Sequence, residues 1–144
     1  MAITNSGMNI INITNTTNIT FSGFSTQNAT NKKYTLYNVD LVKQDLLNQF
    51  FTRKGERVML PNFGTIIWDM LFEPLNDSNK QAIIDDATRI VKSDPRVTLT
   101  KVNVFEVDYG ITLILDLLYA PQNMTTTLSV NFDTQSLTTN TTGV

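Results

Sequence analysis

A chain of 144 residues with a net charge of −2 and a pI near 4.9 can bury one modest core, and it lacks the basic surplus of a nucleic-acid or membrane-surface binder. It contains neither cysteine nor histidine. Disulfides, thiolate or imidazole metal sites and Ser-His or Cys-His nucleophile systems are therefore excluded, and no metal or other cofactor is expected.

The first stretch, 1–33, is built from Asn, Thr and Ser with isolated Ile and Phe, and it carries no charge before Lys32. Such a composition cannot bury enough apolar area to fold alone. An extended arm lying against partner subunits as an added strand is expected; the alternative is a wrap on its own domain. No run approaches the roughly 18 apolar residues of a membrane span, and Met1–Asn5 lacks the basic start of a secretory signal.

From 34 to 133 the composition becomes globular. Asp40 reads as a helix N-cap, followed by a helix over Leu41–Phe51 that Gly55 breaks. Arg53–Asn62 reads as an irregular loop containing Pro61. Phe63–Phe72, with Ile66, Ile67, Met70, Leu71 and Phe72, suits a short buried helix ended by Pro74. Asn76 or Asp77 caps the next helix, Ser78–Lys92. Its apolar stripe is Ile83, Ile84, Ala87, Ile90 and Val91; Asp85, Asp86, Arg89 and Lys92 take the other face.

After Asp94-Pro95 the period changes to two. Val97–Val107 alternates strictly, with Val97, Leu99, Lys101, Asn103, Phe105 and Val107 on one side. Asp108-Tyr109-Gly110 signals a turn. Ile111–Tyr119 forms the second strand, and its run Leu113-Ile114-Leu115 implies burial on both faces. Thr126–Phe132 is the third, with Leu128, Val130 and Phe132 on one side. The fold class is α+β: about three helices on a three- to four-stranded antiparallel meander. A polar tail, 134–144, follows.

Catalytic candidates are weak. Asp69 and Glu73, four apart, could share a helix face, but any acidic domain offers such pairs. Arg53-Lys54-Gly55-Glu56-Arg57 lacks the Gly-Lys-Ser/Thr ending and preceding strand of a phosphate loop. It reads either as a solvated turn or as a docking loop whose guanidinium forks meet a partner's carboxylates. Trp68, with Phe63, Phe72 and Ile67, is core or a binding hot spot, and its helical spacing favours core. Asp94 could pair locally at the corner that Pro95 fixes.

Taken in order, Thr52–Arg57, Pro61-Asn62-Phe63-Gly64, Leu71-Phe72-Glu73-Pro74, the amphipathic helix, Asp94-Pro95-Arg96 and the meander resemble the small baseplate-wedge protein of contractile phage tails. This is the sheath-initiator family, related to component E of type VI secretion baseplates. The resemblance covers about Tyr37–Phe132 and leaves the Asn/Thr-rich arm aside. The family carries Glu-Pro-Arg at the helix-to-strand corner, tied to docking on the helical core bundle of the wedge. Here Asp94 stands for the glutamate, while Pro95 and Arg96 match.

The resemblance implies a structural part and not an enzyme. Its partners would be other wedge subunits, the tail sheath protein and tube or hub proteins, with no nucleic acid, membrane or small-molecule ligand. It implies partner-binding roles for Arg53, Glu56, Arg57, Asp94, Pro95 and Arg96, and a strand shared with sheath at Leu128, Val130 and Phe132. Its place would be the virion tail baseplate, assembled in the bacterial host cytoplasm. Two other readings are a peptidoglycan hydrolase at the tail, a label the family has carried, and a soluble protein-binding module, since a bacterial stress anti-adaptor resembles this fold.

Overall fold

A computed structural model describes residues 21–25 and 35–134. The remaining stretches, 1–20, 26–34 and 135–144, hold most of the expected arm and tail, which therefore lie outside the described residues. In chain order the elements are β1 (Ser22–Phe24), β2 (Thr35–Tyr37), α1 (Asn38–Phe51), α2 (Ile67–Met70), α3 (Asp77–Lys92), β3 (Val97–Val107), β4 (Gly110–Tyr119) and β5 (Met124–Asp133). β3, β4 and β5 form an antiparallel meander in that spatial order, and β1 pairs separately with β2. The class is α+β, as the sequence predicts.

α1 starts earlier than its sequence suggests, and Asp40 does not cap it. The cap position is Tyr37, which makes no side-chain cap bond. Asn38 performs the task across the chain. Its N–H donates to the Phe21 carbonyl at 2.9 Å, and its Oδ1 accepts from the Phe21 N–H at 3.1 Å. Phe21 in turn packs on the core. This stretch of the expected arm thus lies on its own domain.

α3 behaves as its pattern dictates. Asn76 caps it by accepting from the Asn79 N–H at 2.8 Å. Ile83, Ala87, Ile90 and Val91 are buried, and α3 lies along β3. The polar face is not uniform, however. Asp85 is exposed and accepts from Gln81, whereas Asp86 is buried.

The β-sheet departs from strict alternation at one point. A β-bulge between Leu99 and Lys101 shifts the phase of β3. Val97 and Leu99 face the helices before it; Val102 and Val104, paired with Leu115 and Leu113, do so after it. Lys101, Asn103 and Phe105 therefore turn to the outer face, against the predicted set. A bulge inserts one residue and inverts every later side chain, which no period-two reading foresees. β4 also differs: Leu113 and Leu115 are fully buried, but Ile114 faces outward and is half-buried. Among the described residues, helices cover one face of the sheet.

The core joins α1, α3 and the inner sheet face. Phe132 sits at its centre, with Phe50 edge-on at 6.4 Å and Trp68 edge-on at 5.0 Å between ring centroids. The Trp68 indole N–H donates to the Phe50 carbonyl at 2.9 Å, so this residue belongs to the core. The predicted helix Phe63–Phe72 shrinks to Ile67–Met70. Phe72 lies beyond it and is 83% exposed.

Tertiary hydrogen bonds explain the shortening. Thr65 is drawn into a parallel bridge with Arg53: the Thr65 N–H donates to the Thr52 carbonyl, and the Lys54 N–H donates to the Thr65 carbonyl. Asp86 Oδ2 accepts from the Thr65 hydroxyl at 2.7 Å and from the Ile66 N–H at 3.0 Å. Asp86 Oδ1 accepts from Arg89, whose guanidinium also donates to the carbonyls of Asn62 and Gly64.

Gly64 has φ +103°, and a Cβ there would stand 2.5 Å from the Thr52 carbonyl oxygen. Both the backbone angle and the close approach require glycine.

Three substitutions, one of them a control, test this locking of the loop onto α3. Asp86→Ala should lower unfolding free energy by about 3–5 kcal/mol, because it leaves Arg89 without its partner and several donors unmatched, whereas Asp85→Ala next door should change it by under about 0.5 kcal/mol. Gly64→Ala should cost more than about 1 kcal/mol. Urea unfolding of the three variants measures each.

Candidate functional site

The residues singled out from the sequence fall into three places. Arg53 and Glu56 lie at the base of the loop that leaves α1. The Arg53 guanidinium donates through Nε and Nη2 to Asp69 Oδ1, the Nε bond being 2.7 Å. Glu56 Oε2 accepts from the Arg53 N–H at 3.1 Å. With Phe51, Lys54, Trp68 and Phe72, Arg53 and Glu56 border a groove of about 790 Å³. The Asp69 carboxylate, once a candidate acid beside Glu73, is thus engaged in fixing the loop.

Arg57, Asp94, Pro95 and Arg96 come together around a second groove of about 660 Å³, which Asp45, Phe63 and Phe21 also line. Arg57 stacks its guanidinium 3.8 Å from the Phe63 ring centroid and has no carboxylate partner among the described residues. Two motifs far apart in sequence, the loop and the α3–β3 corner, therefore share one surface.

At that corner Arg96 is held on several sides. Its Nε donates to Asp94 Oδ1 at 2.9 Å, and its Nη2 reaches Asp94 Oδ2 at 2.5 Å and Asp45 Oδ2 on α1 at 2.7 Å. Its backbone N–H also donates to Asp94 Oδ1, at 3.0 Å. The guanidinium lies 5.5 Å from the Phe21 ring. Burial pushes the Asp94 carboxyl up, but the hydrogen bonds and charge of Arg96 outweigh it, so the group titrates below its ordinary 3.8. The same bonds, led by Asp94, raise Arg96 above the usual arginine value. Asp94 therefore pairs locally, and its shorter side chain suffices for that bond. Pro95 is exposed beside it.

Leu128, Val130 and Phe132 do not form a surface. They are 3%, 0% and 1% exposed and fill the core side of β5. Their period-two spacing points them all to the covered face. What β5 offers outward is its backbone, since it pairs with β4 and ends the sheet among the described residues.

One surface was not anticipated. Val58, Met59 and Leu60 are 93%, 90% and 57% exposed at the tip of the loop. The available signal was three consecutive apolar residues between Arg57 and Pro61, a run that an exposed loop does not need for folding. Among the described residues no group of three or more Asp or Glu could hold a metal, and no helix is long and apolar enough to cross a membrane.

Comparisons with known proteins agree on this domain. The family described as baseplate wedge protein gp25 matches residues 38–120. The baseplate wedge protein gp25 of Enterobacteria phage T4 is 35% identical over 82 residues, which are 55% of this chain and 61% of that protein. The chain thus spans about three-fifths of the length of that curated relative. A crystal structure from Geobacter sulfurreducens, described as a tail lysozyme, superposes with a TM-score of 0.54 over 64% of this chain and 90% of that one, at 22% identity. That likeness is one of fold. Loop, corner and the first two strands of the meander all lie inside the matched span, and the chain belongs to the baseplate wedge protein gp25 family.

Proposed function

We propose that this chain is a structural part of a contractile-tail baseplate wedge, where it docks on other wedge subunits and starts the tail sheath by sharing a strand. The observation that carries the reading is the outer edge of β5. Its inner side chains are committed to the core, so the backbone N–H and C=O groups along the Met124–Val130 part of that edge are what a neighbour can use. Strand addition needs such an edge and no particular side chain.

The docking half of the reading rests on the groove where Arg57, Pro95 and Arg96 meet. Arg96 arrives there already fixed by Asp94 and Asp45, so a helical partner would meet a preformed corner. The wedge location and the subunit partners follow the family. The same reading places the chain in the virion baseplate, with assembly in the host cytoplasm and neighbours that include sheath and hub.

The lysozyme description belongs to the Geobacter protein, and fold likeness does not carry an activity. Here Asp69, Asp86 and Asp94 are each bonded to an arginine that shapes the fold. The purified chain is expected not to clear a cell-wall suspension; clearing would establish hydrolysis.

Thr125→Lys with Ser129→Lys places charges along the β5 edge while leaving Leu128, Val130 and Phe132 untouched. The variant should stay within about 1 kcal/mol of the parent in stability and fail to support sheath assembly on tails. Normal sheathed tails would refute strand sharing.

The corner has an acid signature. Asp94 titrates below its ordinary 3.8 in the folded chain, so its pairing stabilises fully above that value and is lost as pH falls through the lower, folded one. Thermal unfolding from pH 5 to pH 2 should show this loss, and Arg96→Ala should flatten it while lowering stability at neutral pH.

A further inference from the structure

We propose that the Val58-Met59-Leu60 tip is an anchor that enters an apolar pocket bordered by carboxylates on a different baseplate subunit. The inference rests on the baseplate reading above and adds a contact away from the β5 edge that shares only Arg57 with the corner groove.

The tip is held away from its own core by design of the backbone. The Gly55 N–H donates to the Pro61 carbonyl at 3.0 Å, the Leu60 N–H to the Arg57 carbonyl at 3.2 Å and the Phe63 N–H to the Leu60 carbonyl at 3.0 Å. The Arg53–Thr65 bridge closes the base. Arg89 and Asp86 fasten that base to α3. Side chains at 93% and 90% exposure thus stand on a loop whose backbone is already hydrogen-bonded in place, which lowers the ordering cost of binding. Consecutive exposed apolar residues on such a loop mark a contact surface. A methionine at their centre adapts to an irregular cavity.

Charge selects the partner. Arg57 directly precedes the tip and has no carboxylate partner among the described residues, while the neighbouring Glu56 is turned to the loop base, where it accepts from the Arg53 N–H. Seating the tip in a neutral pocket would strip water from this guanidinium without compensation, whereas carboxylates at the rim would pair with it. A second copy of this chain fits poorly. Its own apolar groove, walled by Phe51, Trp68, Leu71 and Phe72, carries Arg53 and Lys54 together with Glu56 and Asp133, a rim of mixed sign.

The test places a benzophenone amino acid at position 59 of the full chain, irradiates tails assembled with it, and identifies the joined peptides by mass spectrometry. The expected product is a peptide of another baseplate protein that carries apolar residues beside Asp or Glu. The same probe at Asp85, exposed on α3, should not yield that peptide. Products confined to copies of this chain, joined peptides rich in Lys and Arg, or no product while the chain still sediments with tails would overturn the anchor and leave the baseplate reading intact. Failure of the unmodified chain to sediment with tails would overturn both. The triple variant Val58→Ser, Met59→Ser, Leu60→Ser should keep its circular dichroism spectrum and enter tails at least tenfold less efficiently; incorporation at the parental level would also overturn the anchor.

Discussion

Between α3 and the turn at Gly64, a buried carboxylate meets a hydroxyl, a backbone amide and an arginine. Asp86 is the group on which the remaining surfaces depend. Without it the loop between α1 and α2 would keep its own backbone bonds, the exposed Arg53–Asp69 pair and the bonds from an Arg89 that had lost its carboxylate partner. An exposed pair of this kind contributes little, about 0–1 kcal/mol. A buried carboxylate whose lone pairs are all answered is different, since any misfit leaves polar atoms stranded. The loop therefore has one docked position, and both grooves inherit it: one borders Arg53 and Lys54, the other Arg57 and Phe63.

Locally determined parts were readable from the residues. α3 was predicted as Ser78–Lys92 and runs Asp77–Lys92, because its stripe, its Asn76 cap and the Asp94-Pro95 stop all lie within or beside it. The turn at Asp108–Gly110 and the limits of β4 were legible for the same reason. Gly110 is enforced sterically as well, since a Cβ there would stand 1.8 Å from the Phe132 carbonyl oxygen.

What stayed hidden was decided by distant partners. Asn38 rather than Asp40 fixes the start of α1, because its partner Phe21 lies far back in the chain. Asp85 and Asp86 are neighbours of one type, and only the presence of Thr65 and Ile66 beside one of them separates their fates. The bulge at Thr100 reverses the faces of β3 without any glycine or proline to announce it. For the candidate site, the arginines were legible as residues worth noting. Their geometry was not: Arg96 turns inward to two aspartates, and the side chains expected at the sheath contact line the core.

The clasp between Phe21 and Asn38 also settles where the polypeptide joins its domain. Phe21 borders the corner groove, and Asp133 and Thr134 border the other. Each concavity therefore has at its lip one end of the stretch that carries the described core. Whatever fills either hollow therefore touches the main chain near residue 21 in one case and near residue 133 in the other, so the two contacts are felt at opposite ends of the sequence.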